Sequence, residues 1–406
     1  MPFLLLLLGW TASRWLLVKQ TYGPQRWIFG DVHYYFSELA NEKQGGEALK
    51  EYPEANLWLL RVIDLFAPDN QASIEQYYVG FILSLDLLFF ALLIHRKHYL
   101  AGIFWVLFGF VVGPIFLTRL DLVPGLLVGV FAYLLARHPK VSAAFLAAAT
   151  MMKLWPGVLA ASLVGHWKSK QSWLRIGVFV GSMAAMALVT ITTQGFDRLL
   201  SPLDYQAERG LQIESIAATP FIVLAATGGG GYQIRYAASK SFEITGPGVD
   251  TATSVASAAL YLTVLLAAAV VLRRLFRHTW RSSEAIALAM VLIVAVLVTN
   301  KVFSPQYMVW LAPITAVILC FTPNRLAKIN AVVVLAITWL TQYVYPGNYD
   351  SLMTNDPDFM PTLALATRNI LMVVLLVLTV LWWRREATAP VPALDDQASE
   401  ASTRVN

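Results

Sequence analysis

The chain has 406 residues, 57% hydrophobic and 14% charged, with a mean hydropathy of +0.60. Soluble domains carry about 25% charged residues, so a soluble enzyme is excluded, and a net charge of +5 among long apolar runs does not describe a nucleic-acid binder. Cys320 is the only cysteine, which excludes an internal disulfide, and the six scattered histidines offer no metal-site spacing.

Runs of roughly 17–25 apolar residues can cross a bilayer core. Ten such spans are expected, near 2–18, 77–94, 100–117, 122–136, 173–193, 253–272, 283–299, 306–321, 328–344 and 363–383. The first lacks a basic start and is interrupted by Arg14, so it reads as an uncleaved anchor rather than a signal peptide. It leads into a long mixed loop, 19–76, that opens with "FGDVHYYF" at 29–36. Within that loop "NLWLLRVIDLF" (56–66) has apolar residues at helical spacing and suits a helix lying along a membrane surface. The second span holds Asp86, the clearest mid-span acid. Between the third and fourth spans, "TRLDLVP" (118–124) is a short turn that fixes Arg119 and Asp121 at helix ends.

The segment 141–165 has basic residues at both ends and Lys153-Leu-Trp-Pro156 in its middle. Proline breaks a helix interior, so two half-length helices that enter and leave on one face are expected. A single long span would invert every later loop. Further on, 194–252 contains "YQAERGLQIESIAATP" (205–220) and a glycine run at 228–231. That run lacks the setting of a nucleotide loop and reads as a flexible joint. "TNKVFSPQYMVWLAP" (299–313) follows, and Tyr343, Tyr345 and "PGNYD" (346–350) suit the wall of an outer vestibule. From about Glu386 the composition is that of a disordered tail, leaving 1–385 as one integral domain.

Loop charge sets the expected sidedness. Arg96, Lys97, Arg137, Lys140, Lys168, Lys170, Arg175, Arg273, Arg274, Arg277, Arg281, Arg325, Lys328, Arg384 and Arg385 fall in one set of connections, with Glu284 the only acid beside them. The positive-inside rule makes these cytoplasmic and the acid-bearing loops extracytoplasmic.

Several polar residues then gather on the outer face. Asp31 reads either as a solvated or helix-capping acid or as a general base for a sugar hydroxyl. Arg119 either pairs with Asp121 across the turn or faces an anionic headgroup. Arg209 and Gln212 share one side if their segment is helical, with Glu214 close by. Lys301 either snorkels or contacts phosphate, with Pro305 opening a helix whose first amides face an anion. His33 is either hydrogen-bonded packing or a proton partner.

An Asp soon after the first span, followed in order by "RLDLVP" (119–124), "KLWPGVL" (153–159), "RGLQIES" (209–215) and "KVFSPQY" (301–307), resembles the integral-membrane glycosyltransferases of the GT-C superfamily. More narrowly it resembles glycosyltransferase family 87, the actinobacterial polyprenyl-phosphate-mannose-dependent α-1,2-mannosyltransferases of phosphatidylinositol mannoside and lipomannan synthesis. The likeness runs from about residue 29 to about 313. It implies an all-α multi-pass plasma-membrane fold with an extracytoplasmic site, a polyprenyl-phosphate-mannose donor, a glycolipid acceptor, and neither metal nor cofactor. Asp31 takes the place of the catalytic acid. Lys301, Arg209 and Arg119 would meet the donor phosphate, while His33, Tyr35, Asp121, Gln212, Glu214, Gln306 and Tyr307 would orient sugar and acceptor. Many GT-C enzymes carry paired acids in the first outer loop. Here position 33 is His, so Asp31 stands alone.

Overall fold

The computed structural model describes residues 2–67, 70–207, 209–277 and 280–388. It is overwhelmingly helical, and seven helices are long and apolar enough to cross a membrane: α1 (Pro2–Tyr22), α4 (Gln71–Ile94), α9 (Lys170–Gln194), α12 (Val249–Leu275), α13 (Ser282–Thr299), α15 (Arg325–Val344) and α17 (Phe359–Thr388). Three further expected spans form shorter apolar helices: α5 (Tyr99–Val111), α7 (Leu122–Leu134) and α14 (Met308–Phe321). The expected 100–117 span breaks because Gly113 adopts φ +67° and Pro114 follows it, so only the short α6 (Ile115–Thr118) continues. Of the expected tail, residues 386–388 complete α17, and 389–406 lie outside the described residues.

The centre of the bundle is α7, α8 (Pro139–Met152), α13 and α14. Almost every residue of α14 is buried, as are most of α13. The long flanks of α9 and α12 are mostly exposed and apolar, as expected of helices that face lipid. Two glycines let α7 and α14 approach closely. A Cβ at Gly125 would collide with the Val309 carbonyl, and one at Gly129 would lie 2.7 Å from the Pro313 Cβ.

The mid-span acid has a partner that sequence did not assign to it. Asp86 accepts from Arg14 Nε at 2.8 Å and Nη2 at 3.0 Å, from Trp10 Nε1 at 2.9 Å and from Trp105 Nε1 at 2.7 Å. Both charged side chains are buried, and Gly109 leaves room for the guanidinium. With four N–H donors the carboxylate is fully paired. The cluster ties α1, α4 and α5 together.

The 141–165 segment is a broken hairpin. Its first limb is α8. Its second is a 3-10 helix, Trp155–Leu163, with Pro156 in the opening turn. The limbs are about 21 Å and about 18 Å long, each short of a hydrocarbon core of about 30 Å. Ser142 Oγ donates to the Phe131 carbonyl at 2.7 Å, and Lys153 pairs with Asp121, so α8 runs antiparallel to α7. The last carbonyls of the 3-10 limb are taken up by long side chains. Leu163 accepts from Arg175 Nε at 2.8 Å, and Ser162 accepts from Arg274 Nη1 at 3.2 Å and Trp280 Nε1 at 3.0 Å. Arg274 and Arg277 also share Glu284, at 3.3 and 3.5 Å. Both limbs therefore open towards one end of the bundle, the end rich in basic residues, and the tip points to the other.

At that other end sit the connecting elements: α2 (Gly30–Lys43), α3 (Glu54–Phe66), α10 (Phe196–Ala207), α11 (Thr219–Ala226), α16 (Tyr349–Leu352) and an antiparallel pair, β1 (Gln233–Tyr236) and β2 (Phe242–Thr245). α3 covers the expected 56–66 helix. It buries Leu57, Leu60 and Ile63 and leaves Val62, Leu65 and Phe66 exposed. The glycine run turns the chain from α11 into β1, with Gly228 and Gly231 at φ +83° and +92°. Residues 209–213 are extended rather than helical. Ile213 N–H donates to Phe242 O at 3.1 Å and Ile244 N–H to Leu211 O at 3.0 Å, which adds a third row to the pair. Leu211, Ile213, Ile222, Ile234, Ile244, Val344, Leu352 and Leu365 form a small core beneath it.

Candidate functional site

A cavity of about 640 Å³ lies at the loop-rich end, enclosed by the start of α2, the 51–52 loop, the hairpin tip, α10, the β pair, residues 304–307 and the segment after α15. Asp31 enters from the first turn of α2, and its carboxylate is 43% exposed. Arg119 comes from the extended residue after α6 and is nearly buried. The two form an ion pair, and Arg119 Nη2 also donates to the Tyr345 hydroxyl at 2.6 Å. Arg119 turns to Asp31 and not to Asp121.

Asp121 turns the other way, to the floor. Lys153, at the tip of the broken hairpin, approaches Asp121 Oδ1 at 3.0 Å, and Trp310 Nε1 donates to the same oxygen at 2.9 Å. The Lys153 ammonium lies 4.6 Å from the centre of the Tyr52 ring. Trp310 is sandwiched between Trp155 and Tyr307, at ring distances of 4.7 and 3.8 Å. Lys153 lines the cavity while Asp121 is buried behind it. Burial and the nearby Tyr52 push the Tyr35 phenol well above its usual range; burial does the same for Tyr52, with the Asp121 charge adding to it. Both phenols stay protonated hydrogen-bond donors.

Gln212 joins two of the sequence motifs. Its N–H donates to the Lys301 carbonyl at 3.1 Å, its Oε1 accepts from the Phe303 N–H at 2.7 Å, and its Nε2 lies 3.4 Å from Ser304 Oγ. Although their segment is not helical, Arg209 and Gln212 both line the cavity. The Nε atoms of Arg209 and Arg119 are buried with no hydrogen-bond partner among the described residues.

Of the sequence-derived candidates, Asp31, Tyr35, Arg119, Arg209, Gln212, Gln306 and Tyr307 line the one cavity, and Tyr345, Tyr349 and Asp350 of the expected vestibule join them. Four candidates lie outside its lining. His33 packs against α4, with Nε2 2.8 Å from Glu75 Oε1 and Gln71 beside its ring. Asp121 lies under the floor. Glu214 points into the protein, where Arg368 Nη1 donates to its Oε2 at 3.2 Å. Burial nonetheless raises the Glu214 carboxyl to about 7, with Arg368 opposing the shift. Lys301 contributes its carbonyl to Gln212, and its ammonium is affected by Glu243 and Arg209. Burial lowers its pKa, with Glu243 opposing that and Arg209 adding to it. Lys153, Tyr52, Glu51, Tyr34, Tyr205, Tyr236 and Lys240 line the cavity without having been singled out as ligand-binding residues. Lys153 carried a signal in the break at "KLWP", and Tyr34 and Tyr205 lie within the stretches at 29–36 and 205–220.

Comparison with family models, curated proteins and solved structures finds no match.

Proposed function

We propose that this protein is a GT-C-type, family 87-like glycosyltransferase that moves mannose, with inversion, from polyprenyl-phosphate-mannose to a lipid-anchored mannoside, forming an α-1,2 linkage. The observation that carries the reading is one cavity in which a half-exposed carboxylate, Asp31, stands with Arg119, Lys153 and Arg209 at the end of the bundle away from the basic flanks. By the positive-inside rule that end is extracytoplasmic, where the headgroup of a lipid-borne sugar lies. The three short helices α5, α7 and α14 join the seven long ones as ten spans in this reading.

The chemistry follows from the charges. The donor is a phosphodiester with one negative charge. The acceptor hydroxyl gives its proton to Asp31 as its oxygen bonds to C1, and the bond from C1 to the phosphate oxygen breaks with its electron pair. The leaving polyprenyl phosphate gains a second negative charge at that moment. Cations already in place stabilise this change more than they stabilise the bound donor, which lowers the barrier. Arg209 and Lys153 both line the cavity and would place positive charge near that oxygen. Arg119 orients one face of the Asp31 carboxylate and leaves the rest for the acceptor. Holding two lipid-tethered reactants at one depth removes much of the orientational cost.

The test is linkage analysis of the product formed when purified protein meets polyprenyl-phosphate-mannose and mannosylated phosphatidylinositol. An α-1,2-mannosyl product is expected. Transfer only from another polyprenyl-phosphate sugar would replace mannose in the assignment, and no transfer from any would end it.

A further inference from the structure

The mouth of the cavity differs in character from its floor. Tyr34 donates to Glu51 Oε1 at 2.8 Å, which leaves Oε2 with no protein partner among the described residues. The Lys240 ammonium sits 3.6 Å from the centre of the Tyr34 ring. Tyr205 stands close enough to Glu51 that burial and the carboxylate together raise its phenol to about 12. Across from them Tyr236, 64% exposed, packs edge-on against Phe242 at 5.2 Å. These side chains come from α2, the 51–52 loop, α10 and the β pair, the only strands among the described residues.

We propose that this mouth is a saccharide subsite that holds the sugar already present on the acceptor. The assignment to an acceptor rests on the transferase reading above; the binding of a saccharide does not. A hexose presents apolar C–H faces and a rim of hydroxyls, and the mouth offers a matching set. Its tyrosine rings suit the faces, a carboxylate oxygen without a protein partner accepts from hydroxyls, and an ammonium donates to them. The β pair has a further role beyond closing the small core, because its tip delivers Lys240 to Tyr34. Lys240 itself adopts φ +55°, a left-handed conformation that favours glycine.

Two variants test this without disturbing the core. Glu51→Gln keeps the side-chain shape. Lys240→Gly removes the ammonium at an exposed position whose backbone suits glycine. Binding of α-mannotriose to the detergent-purified protein is followed by saturation-transfer NMR, and acceptor and donor KM are measured separately. Wild type is expected to show saturation transfer that weakens in both variants and persists in Arg209→Ala. Losing a hydrogen bond to a charged group weakens binding by about tenfold or more, so acceptor KM should rise by that factor while donor KM stays within about twofold. Absence of mannotriose binding in wild type, binding unchanged in both variants, or a shift in donor KM alone would overturn the subsite. Mannotriose binding that weakens in the variants, in a protein that transfers no sugar, would keep the subsite and end the transferase reading. Transfer with acceptor KM unchanged in both variants would do the reverse.

Discussion

Replacing Arg368 by Met should destabilise the protein through a carboxylate that lies far away in sequence. Arg368 and Glu214 both have fully buried side chains. Arg368 donates to Glu214 Oε2 at 3.2 Å, to the Glu214 carbonyl, and through Nε to Asn369 Oδ1 at 3.0 Å, while its guanidinium stacks 4.2 Å from the Phe303 ring. Methionine fills much of the volume and supplies none of these donors. Glu214 would be left in a dry site with the Tyr349 phenol as its remaining side-chain partner. Breaking a buried pair by removing one member costs about 3–5 kcal/mol. At about 2 °C per kcal/mol, the low end of the range for large domains, the unfolding midpoint should fall by roughly 6–10 °C. The assay is thermal unfolding of the detergent-purified protein, followed by tryptophan fluorescence, on wild type, Arg368→Met, Glu214→Gln and the double variant. The double should recover most of the loss, because no charge is then stranded. A single variant as stable as wild type, or a double no better than Arg368→Met, would mean that the pair is not what holds this site together.

Because folding raises the Glu214 carboxyl from 4.5 to about 7, the folded state binds more protons than the unfolded state across that window. Wild-type stability should therefore fall as pH rises from about 4.5 to about 7, and a Glu214→Gln variant that kept the same slope would place the titration elsewhere. Asp31→Asn should keep donor binding and lose transfer by a factor of about 10²–10⁴; near-normal turnover would remove Asp31 as the base. Lys153→Met should raise donor KM more than acceptor KM, with partial rescue by Lys153→Arg, and an unchanged donor KM would confine Lys153 to neutralising Asp121. Gly125→Ala should lower the yield of folded protein, because its Cβ meets a backbone carbonyl of α14 and not a side chain that can move. Normal yield would mean the helix pair has slack.

What the sequence revealed and what it hid divide along sequence separation. Apolar run length located the long helices, because crossing a bilayer is a local demand on composition. Lys153 to Pro156 announced the broken hairpin, since a proline acts on its own turn. Asp31, Arg119, Gln306 and Tyr307 were legible because they sit beside helix ends, whereas Tyr35 lies inside α2 and Gln212 in the non-helical stretch that meets β2. Partner choice was not. Arg119 has an acid two residues away and pairs instead with Asp31, 88 positions earlier, while Asp121 takes Lys153. Arg14 with Asp86 and Arg368 with Glu214 are likewise long-range pairs, and each sequence stretch alone shows only an unexplained charge in or beside an apolar run. Residues 209–213 looked compatible with a helix because the spacing of Arg209 and Gln212 fits one. Their extended form depends on β2, some thirty residues later, and no local propensity encodes it. Tyr34 and Tyr205 lay within notable stretches, but neither they nor Tyr236 could be told from ordinary interface tyrosines, which are common near a membrane surface for reasons unrelated to ligands.

The broken hairpin makes chain length act as a depth gauge. Neither limb crosses the bilayer, so the height of Lys153 is set by how many residues lie between it and the basic end, and helix α8 has little freedom to compensate because it is packed along α7. One residue added inside α8 would lift the tip by about 1.5 Å and swing it by about 100°, turning the ammonium away from both Asp121 and the cavity. Evolution can therefore vary the side chains of this helix more easily than their number, and lineages that share the chemistry should keep the spacing between the basic connection and the lysine even where little else aligns.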